Sequence, residues 1–296
     1  MENDATDTVG PEPPPFGSAA HLFESVREAG ENELLRPTQS LWWSGTAAGM
    51  AMSTSVVARA LLEEHLPDVV WAPIVASVGY AFGFLIVSLG RMQLFTENTI
   101  TTILPLLRRR DLLTVRLTLR LWGIVLAANL VGAAAVAFLI VHGGLAAPRH
   151  LQAMLALSEH GTAGGAMEHL QLGIPAGFLV AAMVWLGAAS VVHRFWVVLA
   201  LTWLIAMGGY AHVVAGSVEV FLLLFSQGAA GCERLLTFTA PALVGNIIGG
   251  TGLFAVLAYA QVQQELAPPE ELHEPVDHAD EPEDELGEGS ALDSLG

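Results

Sequence analysis

Long apolar stretches fill the middle of the chain and exclude most water-soluble folds. A helix needs roughly 20 apolar residues to cross a bilayer, and residues 37–263 contain several such stretches. Every backbone polar group in the hydrocarbon must be paired internally, so continuous apolar segments of this length predict membrane-spanning helices. Hydropathy predicts six spans, at about Leu41–Leu62, Val69–Phe95 (followed by a short apolar piece, Ile100–Leu107), Leu117–Val141, Leu172–Val192, Phe195–Phe225 and Phe238–Val262.

Arginine placement predicts the orientation of these spans. Cytoplasmic loops of membrane proteins carry an excess of positive charge. The loops on the other side hold only Arg149 and Arg234, so we expect both termini of this multi-pass protein to be cytoplasmic. The arginines that set this orientation lie after the second and fourth spans: Arg108, Arg109, Arg110, Arg116, Arg120 and Arg194.

The charge of the chain is concentrated at its ends. Its formal net charge is −17, but residues 37–263 are close to neutral. We therefore predict an acidic cytoplasmic N-terminal tail at 1–36, a transport domain at 37–263 and a disordered acidic tail at 264–296. An amphipathic helix is expected at His21–Leu35, either solvated or binding a partner. Lysine is absent, and the missing basic patch argues against nucleic-acid binding.

The apolar region contains an internal repeat. Ala128–Ala133 (ANLVGA) in the third span resembles Gly245–Gly250 (GNIIGG) in the sixth, and Ala47–Met50 resembles Pro175–Phe178. Three spans per half force the halves into opposite orientations, which is typical of transporters and channels. The predicted fold is an all-α integral membrane protein with six transmembrane helices in an inverted 3+3 repeat, whose second and fifth helices are broken. The asparagine of each repeat is expected to mediate close helix packing.

The fifth span carries an unusual histidine. Trp203–Phe225 is long enough to cross a bilayer, yet Gly208-Gly209 and Gly216 flank His212. An ionisable residue at membrane depth is a functional-site hypothesis by default. The glycines predict that the helix is interrupted beside His212, and an interrupted membrane helix usually lines a cavity.

A polar break in the second span occupies a matching place. It is Leu94–Thr99 (LFTENT), where Thr96 lies 33 residues before the asparagine of the third span and His212 lies 34 before that of the sixth. We expect the two breaks to meet near the membrane midplane. Thr96 and Ser217 are predicted to cap the half-helices that follow, each presenting a positive N-terminus that favours an anion.

Three motifs carry a resemblance to a known family. Leu94-Phe95-Thr96, Gly209–His212 (GYAH) and Gly245–Gly250 resemble the signatures of the formate/nitrite transporter family, over about residues 40–262, and are most similar to its YfdC-like bacterial branch. The resemblance implies an aquaporin-like protomer assembled as a homopentamer, each protomer with its own pore. It also implies conduction of small monovalent anions such as formate, nitrite or hydrosulfide, often coupled to a proton.

The same resemblance assigns pore residues. His212 matches the central pore histidine of the family and Thr96 its loop threonine. The apolar constrictions around them would be formed by Tyr80, Phe84, Phe95 and Ile205.

Physical chemistry supports such a pore independently. A naked anion in a narrow apolar ring faces a prohibitive desolvation cost, whereas a neutral acid does not. Neutral His212, together with Thr96, is able to hydrogen-bond an entering anion, and protonated His212 or a bound water is able to supply the neutralising proton. Burial favours the neutral ring and a nearby anion favours the charged one, so cargo and proton are expected to bind cooperatively.

The chain departs from the family pattern at several points. Gly216 stands where the family usually has an asparagine, Ala181 falls on a second pore asparagine, and no lysine is present to attract anions to the outer vestibule. His169 lies near the position of that lysine. Fewer donors predict weaker formate binding, which leaves the transported species open.

Two acids within the membrane region have two alternative interpretations. Glu97 follows Thr96, and Glu219 lies seven residues after His212. Both are expected either to satisfy half-helix N-termini or pair with Arg91 as a fixed network, or to serve as a proton relay or cation site.

Three functions remain compatible with these patterns. The first is a channel or transporter for small monovalent anions or their conjugate acids, with lipid bilayer and further copies of the chain as partners. The second is a neutral-solute channel for water, ammonia or a weak acid, and the third is a non-conducting membrane scaffold or sensor. No enzyme is expected because no nucleophile–base set, metal cluster or phosphate loop stands out, and neither a metal nor a cofactor is predicted.

Overall fold

The structure, a computed structural model, describes residues 17–266, and every regular element among them is helical. The predicted acidic C-terminal tail lies outside the described residues from position 267 onward, as do the first sixteen residues. The helices are α1 (Ala19–Leu34), α2 (Thr38–His65), α3 (Ala72–Leu89), α4 (Phe95–Thr101), α5 (Ile103–Arg109), α6 (Leu112–His142), α7 (Pro148–Gly161), α8 (Ala166–Ala189), α9 (Arg194–Met207), α10 (Val213–Gln227) and α11 (Gly231–Val262).

Four of these helices are long and apolar enough to cross a membrane, namely α3, α6, α8 and α11. They correspond to the second, third, fourth and sixth predicted spans. The fifth predicted span is formed by two shorter apolar helices, α9 and α10. The first predicted span lies within α2, which has 28 residues but contains more small and polar side chains and is therefore less apolar than these four helices.

Buried asparagine side chains join the helices to the chain breaks. The Asn129 side chain is fully buried in α6. Its amide oxygen accepts the Phe95 N–H at 2.9 Å, and its amide nitrogen donates to the carbonyls of Gly45 and Gln93, each at 2.8 Å. One side chain thus ties α6 to α2, to the first break and to the start of the helix that follows the break.

Asn246 makes the same set of contacts in the second half of the chain. Its amide oxygen accepts the Val213 N–H at 2.9 Å, and its amide nitrogen donates to Gly173 O at 2.9 Å and Ala211 O at 2.8 Å. The prediction that the two asparagines mediate packing is confirmed, because every one of these partners is a backbone group of a neighbouring element.

Small residues allow the paired helices to approach this closely. A Cβ on Gly49 would overlap the Asn129 carbonyl group, and a Cβ on Gly177 would overlap the Asn246 carbonyl group. These glycines are the ones that the sequence repeat aligns. In lipid no hydrophobic effect drives helices together, so close backbone packing at small residues stabilises their association instead.

The predicted N-terminal amphipathic helix is present as α1, and its apolar face is buried. Phe23 is fully buried against α5, α8 and α11, in a cluster with Ala20, Leu22 and Val26. Glu31 receives ion pairs from Arg27 at 2.8 Å and from Arg109 of α5 at 2.9 Å. The helix therefore packs on the bundle, in contrast to the solvated alternative considered from the sequence.

A helix also lies where the sequence analysis predicted only a loop. α7 follows α6 and places Met154 and Leu157 in a buried cluster with Val218 and Leu222 of α10. Its last residue, Gly161, lies against the carboxylate of Glu219. A Cβ atom on Gly161 would lie 2.8 Å from Glu219 Oε2. The connection between the third and fourth predicted spans thus covers part of α10.

We predict that Asn129→Leu strongly destabilises the protein. The substitution leaves three buried backbone groups without their partner, and each unsatisfied group costs roughly 1–3 kcal/mol. Thermal unfolding in detergent should show a clearly lower Tm than the wild type. The matched control is Leu119→Ala on the same helix, whose side chain is 62% exposed; equal Tm values for the two variants would contradict the bridging role.

We also predict that the docking of α1 weakens at acid pH. Partial burial alone would raise the pKa of Glu31, but the hydrogen bonds and charges of Arg109 and Arg27 together outweigh it and lower the pKa below its usual range. A lowered carboxyl pKa stabilises the folded state above the ordinary glutamate value of about 4.3, and this contribution disappears as the pH falls through the folded value.

Hydrogen exchange of α1 measures this effect. At pH 7 the Glu31→Gln variant should exchange faster than the wild type, and the difference should vanish once the pH lies below the lowered pKa. Glu28→Gln, on the same helix with a side chain that is 68% exposed, should behave like the wild type throughout. A Glu31→Gln protein with wild-type exchange at pH 7 would argue against this ion pair.

Candidate functional site

Two chain breaks meet in the middle of the molecule. α3 ends at Leu89 and α4 begins at Phe95, while α9 ends at Met207 and α10 begins at Val213. The residues before the two half-helices have nearly the same extended backbone, with φ −106° and ψ 126° at Leu94 and φ −100° and ψ 122° at His212.

The two breaks match in a register that differs by two residues from the predicted one. Asn129 binds the N–H of Phe95, and Asn246 binds the N–H of Val213. Leu94 and His212 are therefore equivalent positions, whereas the sequence comparison had aligned Thr96 with His212. Counting residues back from each asparagine does not reveal which backbone N–H its side chain binds.

Thr96 and His212 are in direct contact. Thr96 Oγ1 lies 2.7 Å from His212 Nε2, and the two residues are 0% and 1% exposed. His212 Nδ1 accepts the Ala215 N–H at 3.2 Å, so a neutral ring carries its hydrogen on Nε2 and donates it to the threonine hydroxyl. The hydroxyl hydrogen of Thr96 is then left for a further acceptor.

The predicted capping residues are wrong. His212 itself caps α10 through Nδ1, whereas Ser217 lies inside that helix and donates to Val213 O at 2.6 Å. Thr96 lies within the first turn of α4, and its N-cap Leu94 makes no side-chain cap bond. A histidine and a distant asparagine thus replace the hydroxyl caps that local sequence rules favour.

Apolar side chains enclose the Thr96–His212 contact. The Phe84 ring meets the His212 ring edge-to-face with centroids 4.9 Å apart, and Tyr80 lies 5.3 Å from Phe84. Phe95 and Ile205 are 1% and 0% exposed. All four predicted constriction residues belong to one buried cluster with Leu94, so the structure brings them together with the polar pair.

A cavity of about 430 Å³ reaches His212 from one side. We call it the His212 cavity. It extends from exposed residues such as Met207 to the buried histidine, and Tyr80, Ile205 and Glu219 also line it. Water and small ions therefore have a route to the ring on this side.

A second cavity of about 280 Å³ reaches α4 from elsewhere in the molecule. This cavity is lined by the two residues that follow Thr96 in α4, Glu97 and Asn98. Arg91, Gln93 and Arg194 line it as well. The Thr96–His212 contact thus lies between a cavity that ends at the histidine and one that ends at the threonine half-helix.

The two acids remain without ionic partners. Glu219 is 7% exposed, and within residues 17–266 its carboxylate has neither a hydrogen bond nor an ion pair within 4 Å. One carboxylate oxygen of Glu97, Oε1, is buried and lacks a hydrogen-bond partner in the same range. Arg91 is exposed at a turn with φ 51° and forms no salt bridge with either acid, so the predicted pairing with Arg91 does not occur.

The departures from the family pattern have structural counterparts. A Cβ on Gly216 would overlap the Phe238 ring, so an aromatic side chain from α11 fills the space that a longer residue would need. His169 is 2% exposed, and its ring centroid lies 4.7 Å from that of Phe238 with the two rings tilted by 60°. Its ring nitrogens lie 2.7 Å from Thr237 O and 3.0 Å from Ala163 O, so neither nitrogen is free for cargo. No motif in the sequence indicated Phe238.

The described part of the chain offers no metal site. No group of three or more histidine, cysteine, aspartate or glutamate side chains within it has a suitable arrangement.

Comparisons with known proteins agree with this architecture. A sequence model described as formate/nitrite transporter matches residues 20–260. The chain is 34% identical over 249 residues to an inner membrane protein, YfdC, of Escherichia coli, covering 84% of this chain and 80% of that protein. It is 24% identical over 256 residues to the formate channel BtFdhC of Bacillus thuringiensis, covering 84% and 97% of the two chains.

Solved structures show the same fold. One described as an FNT family ion channel has a TM-score of 0.62 and 21% identity, covering 82% of this chain and 96% of that one. Another, described as a pentameric formate channel with formate bound, has a TM-score of 0.64 and 17% identity, covering 80% and 99%.

We predict that small water-soluble reagents reach the depth of His212. In a Cys232→Ala background, which removes the exposed native thiol, a cysteine at Ala211 faces the His212 cavity. It should react with a small charged thiol reagent. A cysteine at Ala215, which is fully buried one turn into α10, should not, and equal labelling of the two would show that the cavity does not define the access route.

Proposed function

Because the chain belongs to the formate/nitrite transporter family, we propose that it moves small monovalent anions, or their conjugate acids, across a bacterial inner membrane. Members of this family are channels and transporters, not enzymes. The observation that carries the proposal is the 2.7 Å contact between Thr96 and His212 at the meeting of two broken helices. It provides hydrogen-bonding groups at a depth where the surroundings are otherwise apolar.

Thr96 is the group that we expect to bind cargo directly. The N–H groups that open α4 and α10 are bound by Asn129 and Asn246, and the Ala215 N–H is bound by His212. The half-helix ends therefore have fewer free donors than the sequence alone implied. The Thr96 hydroxyl, which accepts from His212, keeps its own hydrogen for an anion.

The proton linkage of the proposed transport is constrained by the cap of α10. A second proton on His212 would have to bind at Nδ1, which already accepts the Ala215 N–H at 3.2 Å. Charging the ring therefore breaks a buried hydrogen bond, which costs on the order of 1 kcal/mol or more. An anion close to Thr96 would offset this cost by favouring the charged ring. We therefore still expect the anion and the proton to bind cooperatively.

We further infer the membrane arrangement. Six spans, with α2 as the first and the α3/α4 and α9/α10 pairs as the broken ones, give an aquaporin-like inverted 3+3 repeat with both termini in the cytoplasm. The structural similarity to a pentameric formate channel supports a homopentamer. All pore residues come from one chain, so each protomer would hold its own pore.

A neutral-solute channel is the second candidate function. The exposed Glu168 lines the His212 cavity, and lysine is absent from the chain. A carboxylate near the entrance disfavours anions and tolerates a neutral weak acid, water or ammonia. Stopped-flow assays with formate, nitrite, hydrosulfide, acetate and ammonium at several pH values separate anion–proton cotransport from neutral-solute flux.

We predict that His212→Phe abolishes anion-dependent proton flux in proteoliposomes. Phenylalanine keeps an aromatic ring against Phe84 but provides neither the cap nor the donor to Thr96. His212→Asn is the matched variant, because asparagine is a favourable N-cap but cannot replace Nε2. It should fold like the wild type, by size-exclusion profile and Tm, and yet lose at least about tenfold in flux, as expected for a lost positioned polar group.

Wild-type flux in both variants would overturn the role of His212. Loss of flux in His212→Phe together with full flux in His212→Asn would show that only the helix cap matters.

A further inference from the structure

His212 alone does not readily supply a proton to the cargo. Both of its ring nitrogens are engaged, Nδ1 with the Ala215 N–H and Nε2 with Thr96. Donation from the neutral ring would leave an imidazolate, and doubly protonating the ring disrupts the cap. A proton-linked pore with this geometry therefore needs another exchangeable proton within reach of the same cavity.

Glu219 meets this requirement. It lies on α10, nearly two turns beyond His212, and both residues line the His212 cavity. The side chain is 7% exposed, and its carboxyl group has no hydrogen bond or ion pair within the described residues. An unpaired carboxylate at this depth is costly unless a proton or a cation neutralises it.

The cations around Glu219 are committed to other partners. Arg59 of α2 also lines the cavity but pairs with Glu63 at 3.0 Å. Arg234 of α11 donates to the Thr162 carbonyl at 2.6 Å and to its hydroxyl at 2.7 Å.

The remaining titratable groups at the cavity come from α3, α7, α8 and the break before α10. They are Tyr80, His160, Glu168, His169 and Tyr210, and no residue of α6 lines the cavity. His169 directs both nitrogens at backbone carbonyls, whereas His160 and Glu168 are exposed. Glu219 is thus the buried carboxyl group of this cavity that has no fixed partner and is able to exchange a proton with its contents.

We propose that Glu219 exchanges a proton with the cargo in the His212 cavity, and that this exchange favours carboxylates as cargo. The inference rests on the proposed transport function. The O–H bond of the protonated Glu219 breaks, an O–H bond forms on the cargo carboxylate, and the cargo proceeds to Thr96 as a neutral acid. Glu219 then regains a proton from cavity water, so one proton moves with each anion.

Matched chemistry explains the preference for carboxylates. Donor and acceptor are the same functional group, so proton transfer between them is close to thermoneutral and reversible, the condition for efficient general acid–base exchange. The neutral acid then crosses the apolar residues around Phe84 without the desolvation cost of an ion.

The end of α7 lies against the carboxyl group of Glu219. A Cβ on Gly161 would lie 2.8 Å from Glu219 Oε2, so any side chain there would press on the carboxyl group. Gly161→Ala therefore displaces the group without removing it and provides a second test at a distance from α10.

The test measures formate and proton uptake by proteoliposomes containing the full-length chain, at several pH values. Glu219→Gln keeps the shape of the side chain but has no proton to release, and its formate-coupled proton flux should fall about 10²-fold, the lower range for a positioned acid–base group. Its residual flux should follow only the concentration of neutral acid in bulk water. Glu233→Gln, which changes an exposed carboxylate that does not line the cavity, should behave like the wild type.

Glu219→Asp and Gly161→Ala keep the inference testable if Glu219→Gln fails to fold. Aspartate retains an exchangeable proton and should restore most of the pH dependence at a reduced rate, while Gly161→Ala should lower the flux. Wild-type formate flux in Glu219→Gln would overturn the role of Glu219 alone. A wild-type protein that moves none of formate, nitrite, hydrosulfide and acetate at any pH would overturn the proposed function itself.

Discussion

Two buried asparagines make a broken helix possible inside this bundle. A break at membrane depth exposes backbone N–H and C=O groups that lipid cannot satisfy. Asn129 and Asn246 each pair with one N–H that opens a half-helix and with two carbonyls, one within the break and one on a neighbouring helix. The irregular backbone is thereby kept within protein, and the residues beside each break are free to serve another purpose.

The scaffold is symmetric in its contacts but not in its chemistry. Leu94 and His212 occupy equivalent positions before the two half-helices, one apolar and one able to cap and donate. Thr96, two residues further along the first half-helix, reaches across to His212. Only the second half of the chain provides a histidine at this position, and the hydrogen-bonding partner of its ring comes from the first half. The centre therefore contains a single hydrogen-bonded pair.

Much of this arrangement could be predicted from the sequence, since helical spans, glycine-flanked breaks and repeated asparagines are patterns within the chain. The register of the breaks could not, because it depends on which N–H each asparagine binds. Phe238 above Gly216 and the α7 end beside Glu219 were also missed. Both are contacts between segments distant in sequence, and no periodicity or local motif encodes them.

The contacts that fix His212 also limit its chemistry. A ring that caps a helix with one nitrogen and orients a hydroxyl with the other is a good positioning group and a poor proton reservoir. In the proposed exchange the carboxyl group of Glu219 has the opposite properties, since no ion pair within residues 17–266 fixes its charge and cavity water would supply its protons. Dividing the two tasks between a histidine and a carboxyl group also explains how a cavity without lysine could handle an anion. The anion need not be attracted as an ion if it is neutralised before it reaches the apolar residues.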